Sequence, residues 1–340
     1  MKNKLSVYLK PEYWLALLII FSTGCRRNSF QADISDIAAN VEIIRFEKIL
    51  FSVDPSVLED FIPRWKKETG VFFNHYCYVS GLGSTEDPDF PERLRAYVTN
   101  RYKYMIYTRT LQVFPDTASI TAELGNAFRH YVYYFPQKPV PQIYTYISGF
   151  SRSAITDDSL LAIGLDRYLG IDEPLYNQAD IYNYLKLNMH PAKLASDCMK
   201  YWGETEFAYN DSVNNLIANM IYHGRNLYFI SAMLPDQADS LKWGFTGNDL
   251  NYLSNAEKSI WTYLIENKLL FNTDRFTINK FILEGPFTTD FGRNTPARAA
   301  VWIGYRITEA FMAKNPSVNL KELMEIRDYL KILNRSGYNP

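Results

Sequence analysis

Residues 214–236, NNLIANMIYHGRNLYFISAMLPD, constrain the fold of this chain more than any other stretch. Val213, Leu216, Ile217, Met220, Leu227, Tyr228 and Ser231 recur at helical spacing and form one mostly apolar stripe. Asp211 and Ser212 are the expected N-terminal caps, and Pro235 is the expected stop. Gly224 interrupts the stripe at its middle, where glycine costs roughly 1 kcal/mol relative to alanine. The close approach of another backbone gives that glycine a reason to be there. A second helix over 296–313 suits the role, with Thr295 as its cap and Pro296 in its first turn. It carries Ala300, Gly304 and Thr308 as a ridge of small residues beside Trp302, Ile303, Ile307 and Phe311. That ridge is expected to pack near Gly224.

Residues 1–24 are an address rather than part of the fold. Lys2, Lys4 and Lys10 precede a short apolar run over 13–21, which Ser22-Thr23-Gly24-Cys25 closes. The run is shorter than the ~20 residues a membrane-spanning helix needs. The pattern resembles a bacterial lipoprotein signal, which leaves Cys25 acylated at the head of a mature chain of 316 residues. Ser22 stands where such signals usually carry Leu, a change that Bacteroidetes-type signals tolerate. An ordinary secretory signal with an incidental cysteine is the alternative. Several acyl chains on one cysteine anchor firmly, since each buried CH₂ contributes about 0.8 kcal/mol. Residues 25–40 read as a polar tether without periodicity, and 41–340 as the folded domain.

The first strand is expected over 41–46. A helix follows from Asp54-Pro55 through Val57, Leu58, Phe61 and Trp65, then a loop over 81–91 and helices over 94–113 and 118–134. The tyrosine-rich stretch 140–147 and the apolar run 160–165, linked by 149–158, are expected to pair as a β hairpin. Beyond Pro174 the chain reads as helical: 176–187, 191–202, the central helix, 249–266, 276–283, 296–313 and 320–330. No low-complexity linker, charge block or repeat marks a boundary. The expected class is α+β, a predominantly helical single domain with a sheet of about three strands in its first half.

Charge and aromatic content narrow the function. Removing the three lysines and one glutamate of the signal from 36 basic and 37 acidic residues leaves a net charge of −3. That gives no electrostatic footprint for nucleic acid. The 26 Tyr and 21 Phe cluster at Tyr102 and Tyr104 and over 131–135. They are expected in the core, with a glycan-stacking surface as the alternative. Cys77 and Cys198 are far apart in sequence and lack metal-type spacing. They are expected as buried thiols, although an exported protein can form disulfides.

Motifs spread over nearly the whole mature chain resemble the GldB family, the gliding-motility lipoproteins of Bacteroidetes. Besides the lipoprotein cysteine they include Ile44-Arg45-Phe46-Glu47, Ile163-Gly164-Leu165-Asp166 and Tyr168-Leu169-Gly170. Met220-Ile221-Tyr222, Gly285-Pro286-Phe287-Thr288 and Trp302-Ile303-Gly304 continue the series. Their order, not any one of them, carries the resemblance. It implies an envelope lipoprotein, held on a membrane through Cys25, that works with gliding and type IX secretion machinery through protein partners. It implies no established reaction and no cofactor. The mature N-terminus over 25–29 lacks the acidic residues associated with surface export. The expected location is therefore the outer membrane, facing the periplasm.

The family also looks distantly like predicted zincin peptidases, whose HExxH helix gives two histidines to zinc and a glutamate as general base. The corresponding stretch is Ser196-Asp197-Cys198-Met199-Lys200, with His223-Gly224 on the next helix. Ser196 and Lys200 replace both histidines, and a protonated lysine has no lone pair for zinc. His75, His130, His190 and His223 show no HxH or HxxxH spacing. Asp157-Asp158 and the group Glu86, Asp87 and Asp89 lack the full ligand pattern of a calcium loop. There is no GxSxG elbow and no glycine-rich phosphate loop. The expectation is a zincin-like helical core without a metal, a pseudoenzyme rather than an enzyme. Asp197, Lys200, His223 and Arg225 line its degenerate cleft, with Asp197 paired to a nearby cation. A zinc-dependent hydrolase with other ligands and a glycan-binding lipoprotein are the alternatives.

Overall fold

The computed structural model describes residues 30–292 and 294–340. Four strands, β1 (Ile43–Arg45), β2 (Gln142–Tyr146), β3 (Ala154–Asp157) and β4 (Leu160–Gly164), form a sheet in the order β1-β2-β4-β3. The first, second and fourth are parallel, with Ile43 opposite Ile143 and Thr145 opposite Ile163. The third runs antiparallel at the edge, Ile155 opposite Ala162. The expected hairpin between 140–147 and 160–165 is thus a misreading: those segments are parallel neighbours, and the hairpin joins β3 to β4. The cause is burial. Every residue of β4 is buried, and a wholly apolar run carries no mark of its neighbour's direction.

The helices of the first half are α1 (Phe46–Ser52), α2 (Leu58–Thr69), α3 (Val71–Val79), α4 (Phe90–Thr99), α5 (Arg101–Val113) and α6 (Ala118–Tyr134). Then come α7 (Pro174–Gln178), α8 (Asn183–Lys186), α9 (Leu194–Glu206), α10 (Leu216–Met233) and α11 (Asp239–Trp243). The last are α12 (Gly247–Glu266), α13 (Arg275–Ile282), α14 (Ala299–Lys314), α15 (Leu320–Glu325) and α16 (Tyr329–Ser336). Three expected rods are broken: 176–187 falls into α7 and α8 with Asp180 at φ 52° between them, and caps break the other two. Asn100 accepts from the backbone N–H groups of Tyr102 and Lys103, which ends α4 and starts α5. Asp328 does the same for Lys331 and splits the expected 320–330 helix.

The sheet separates two apolar layers by the two-residue alternation of its strands. Tyr144, Tyr146, Leu160 and Ala162 pack towards α1–α4, while Ile143, Leu161 and Ile163 pack towards α5, α6 and the helices of the second half. Glu47 is buried and fastens the two: it accepts from Thr145 Oγ1 at 2.6 Å and from Arg45 Nε at 2.6 Å. Tyr131 and Phe135 lie inside the larger layer, whereas Tyr104 and Tyr133, also expected in the core, are exposed. Cys77 and Cys198 are buried free thiols.

Helix α10 is the centre of the larger layer. Fifteen of its 18 residues are buried, so it is enclosed on nearly all sides rather than along one stripe. Its cap is Asn215, which accepts from Ala218 N–H, and not Asp211 or Ser212. The first turn is set from outside: Leu216 and Ile217 N–H donate to Asn272 and Leu270 carbonyls. At its middle Gly224 lies against Gly304 of α14, where a Cβ would overlap the Gly304 carbonyl carbon and the Tyr305 nitrogen. The expected packing of the small ridge on Gly224 is what the structure contains. Helix α14 nevertheless starts later than expected. Thr295 and Pro296 belong to a loop closed by Thr288, whose N–H donates to Thr295 O and whose hydroxyl donates to Pro296 O.

The segment expected as a tether is partly fastened to the body. Arg129 of α6 donates to the carbonyls of Ile34 and Ile37 at 2.6 and 3.0 Å. Phe30 packs edge-on to Tyr228, with centroids 4.7 Å apart. Absence of periodicity here reflects an extended strap rather than a free chain. Cys25 and the signal lie outside the described residues.

Candidate functional site

A 3₁₀ turn (Pro191–Lys193) leads into α9, which lies along α10. Lys193, Asp197, Lys200, Tyr201 and Glu204 recur every three to four residues and share one side of that helix. His223, Asn226 and Leu227 face them from α10, and together they line a cleft of about 220 Å³. Lys242 and Trp243 of α11, Glu284 after α13, Arg298 before α14, and Arg167 and Tyr168 after β4 add to the lining.

The cleft holds three of the four expected residues. Asp197 pairs with Lys193 at 3.0 Å and accepts from Tyr168 Oη at 3.0 Å. Lys200 makes no hydrogen bond or ion pair at its ammonium among the described residues; it lies 5.1 Å from the Tyr201 ring centroid. Burial disfavours its charge, yet Tyr201, Glu204 and Asp197 around it hold the pKa at about 12. It is a fixed cation at neutral pH. Ser196 is not in the cleft: fully buried, it donates to the Lys193 carbonyl at 2.9 Å, behind the lining. Arg225 is not in the cleft either. Two residues on from His223 it leaves the opposite side of α10, where it donates to the Ile326 carbonyl at 2.5 Å.

The lining residues missed include Glu204, Lys242 and Arg298. Glu204 could have been found, since it lies one turn beyond Lys200 and two beyond Asp197. Burial raises its pKa, with Lys200 opposing. Lys242 is buried and paired with Asp239 at 2.8 Å. Arg298 had no sequence signal. It adopts a left-handed backbone, φ 60°, an uncommon conformation for a residue with a side chain. Its guanidinium donates to the Trp243 and Gly244 carbonyls at 2.9 Å and lies 4.5 Å from the Phe245 centroid. Glu284 at 3.3 Å is its counter-charge.

Among the described residues no group of three or more His, Cys, Asp or Glu side chains is placed to hold a metal ion. The loop carboxylates are engaged otherwise: Glu86 with Lys66, Asp87 and Asp89 with Arg93, and Asp157 with His75. No helix of the described residues is long and apolar enough to cross a membrane.

His223 carries a pH signature. Burial, then Lys200 and Arg298, depress its pKa from 6.5 to about 3, so the unfolded chain takes up this proton first. The stability gained by keeping His223 neutral is complete above the unfolded value. It is lost as pH falls towards the folded one, by at most about 1.4 kcal/mol per pH unit. His223→Gln is expected to flatten the fall in denaturant-measured stability on acidification below about pH 6. An unchanged slope would show that the ring titrates freely.

The model of the family described as gliding motility protein GldB matches residues 27–340. The chain belongs to the GldB family. No curated protein and no solved structure matches it. Several residues that carried the GldB resemblance are buried anchors. Glu47 ties α1 to the sheet, and Gly304 meets α10. Asp166 Oδ2 accepts from the N–H groups of Ser148, Gly149 and Phe150 at 2.9, 2.7 and 2.8 Å. Tyr168, of the Tyr168-Leu169-Gly170 motif, lines the cleft and bonds to Asp197.

Proposed function

We propose that this protein is a GldB-type envelope lipoprotein that acts by binding rather than by catalysis, and that its α9–α10 cleft receives an anionic group of a protein partner. One observation carries this reading. The Lys200 ammonium lacks a hydrogen-bond partner among the described residues, and the neutral His223 ring and the Arg298 guanidinium line the same cleft. A fixed cation repels a divalent metal and attracts a carboxylate or phosphate. Membership of a gliding-motility family supports a partner in the gliding or type IX secretion machinery. The lipoprotein-like signal supports anchoring through Cys25 to the outer membrane, facing the periplasm.

The test is cross-linking in native membranes followed by identification of the captured partner. Lys200→Gln is expected to lower capture about tenfold, the equivalent of ~1.4 kcal/mol, with the fold intact by circular dichroism. Cys25→Ala is expected to accumulate as unprocessed precursor. Stoichiometric zinc in purified wild type, lost in His223→Ala, would sink the binding reading and favour a peptidase.

A further inference from the structure

Arg225, absent from the cleft, sits at the floor of a different pocket. Its side chain is 2% exposed, and a cavity of about 360 Å³ opens over it between α9, α15 and α16. That volume falls within the ~300–1,000 Å³ typical of small-ligand sites. Buried charges are normally paired. Among the described residues, no carboxylate pairs with Arg225. Glu206 and Glu325, which line the pocket, are committed to Lys138 and Lys321. Asp211, also in the lining, is exposed and in no ion pair among the described residues.

The local structure meets only part of the guanidinium's demand. Nη1 donates to the Leu323 and Ile326 carbonyls at the end of α15, and the negative end of a helix offers about half a charge at most. The Tyr329 and Tyr222 rings lie 5.6 and 6.0 Å from its centre. Nε is buried and has no hydrogen-bond partner among the described residues. At the rim Arg327, exposed and in no described ion pair, belongs to the same lining. Tyr209 and Tyr329, stacked 5.6 Å apart at 12°, form an aromatic wall beside them.

We infer that this pocket is a carboxylate-binding site, separate from the α9–α10 cleft, in which Arg225 and Arg327 recognise either a free organic acid or the C-terminal end of a peptide. A planar carboxylate matches the fork of donors on a guanidinium, and Nη2, which makes no hydrogen bond among the described residues, is the donor left for it. The tyrosine wall would cover the apolar atoms next to the carboxylate.

The test is calorimetric titration of the full-length protein in detergent with succinate, with acetyl-trialanine and with acetyl-trialanine amide. Binding of succinate or of the free tripeptide, but not of the amide, is expected. Which of the two binds identifies the source. Arg225→Lys keeps the charge and removes the fork, and is expected to weaken binding tenfold or more. Arg327→Gln, at an exposed position, is expected to weaken it severalfold and decides the matter if Arg225→Lys does not fold. Lys200→Gln is expected to leave it unchanged, which separates this site from the cleft. The inference is overturned if folded wild type binds none of the probes. It is equally overturned if the amide binds as well as the acid, or if the loss follows Lys200→Gln instead of the arginine variants.

Discussion

Gly224→Leu is expected to destabilise the protein by about 3 kcal/mol or more, at or beyond the upper end of the ~1–3 kcal/mol usual for overpacking. The reason is what the new side chain meets. At the crossing of α10 and α14 a Cβ on Gly224 overlaps main-chain atoms of Gly304 and Tyr305, and one on Gly304 overlaps the Met220 carbonyl. Main chain cannot move aside by changing rotamer, so the helices must separate. Their separation would loosen Met220, Leu227, Ile303 and Ile307, all in the larger core. Domains of ordinary stability hold only about 5–15 kcal/mol in total, so this one change removes a large part. Gly125→Ala, in α6 with nothing within 4 Å of the added carbon, is the control. It is expected to be neutral or to stabilise by up to ~1 kcal/mol through helix propensity. Urea titration of both variants checks the contrast. Equal stabilities would mean that α10 and α14 do not cross at these glycines.

Asp166→Ala is expected to be comparably damaging for the opposite reason, removal of an acceptor. Asp166 is fully buried, and one of its oxygens receives three consecutive backbone N–H groups, from Ser148, Gly149 and Phe150. Without it, three donors in or near the core lose their partner, and each unsatisfied buried group costs about 1–3 kcal/mol. The loop they belong to has no easy alternative, because Gly149 and Phe150 both hold positive φ, 77° and 69°. The total is expected to exceed about 3 kcal/mol. The damage should reach the cleft, since Arg167, which lines it, donates to the Phe150 carbonyl at 3.2 Å. Asp166→Asn keeps the shape and one strong acceptor and is expected to lose roughly half as much. Denaturant titration together with amide exchange over 148–150 measures both effects. Unchanged protection of those amides in Asp166→Ala would refute the anchoring role.

How far the chain could be read from its residues depended on whether a residue had one physical reason to be where it is. Gly224 and Gly304 did. A glycine inside an apolar helix weakens it unless something comes close, so each announced a crossing, and the crossing is there. The helical second half and the small sheet near the start followed from periodicity in the same way. Asp197, Lys200 and His223 could be placed together because helical spacing puts Asp197 near Lys200, and a recognised two-helix pattern puts His223 opposite.

The remainder was settled by neighbours that lie far away in sequence. Strand direction in the sheet was invisible because β4 is buried on both faces and its apolar run has no orientation. The start of α10 moved from Asp211 to Asn215 because carbonyls of Leu270 and Asn272 take its first amides. Arg298 entered the cleft through a left-handed turn that no pattern around it announces. Arg225 shows the division most plainly. Its identity and its place on the helix were readable, but residue 223 faces one cavity and residue 225 another. Periodicity determines which side of a helix a residue occupies. What that side meets, and whether a buried charge finds a counter-charge there, is decided only when the other helices are in place.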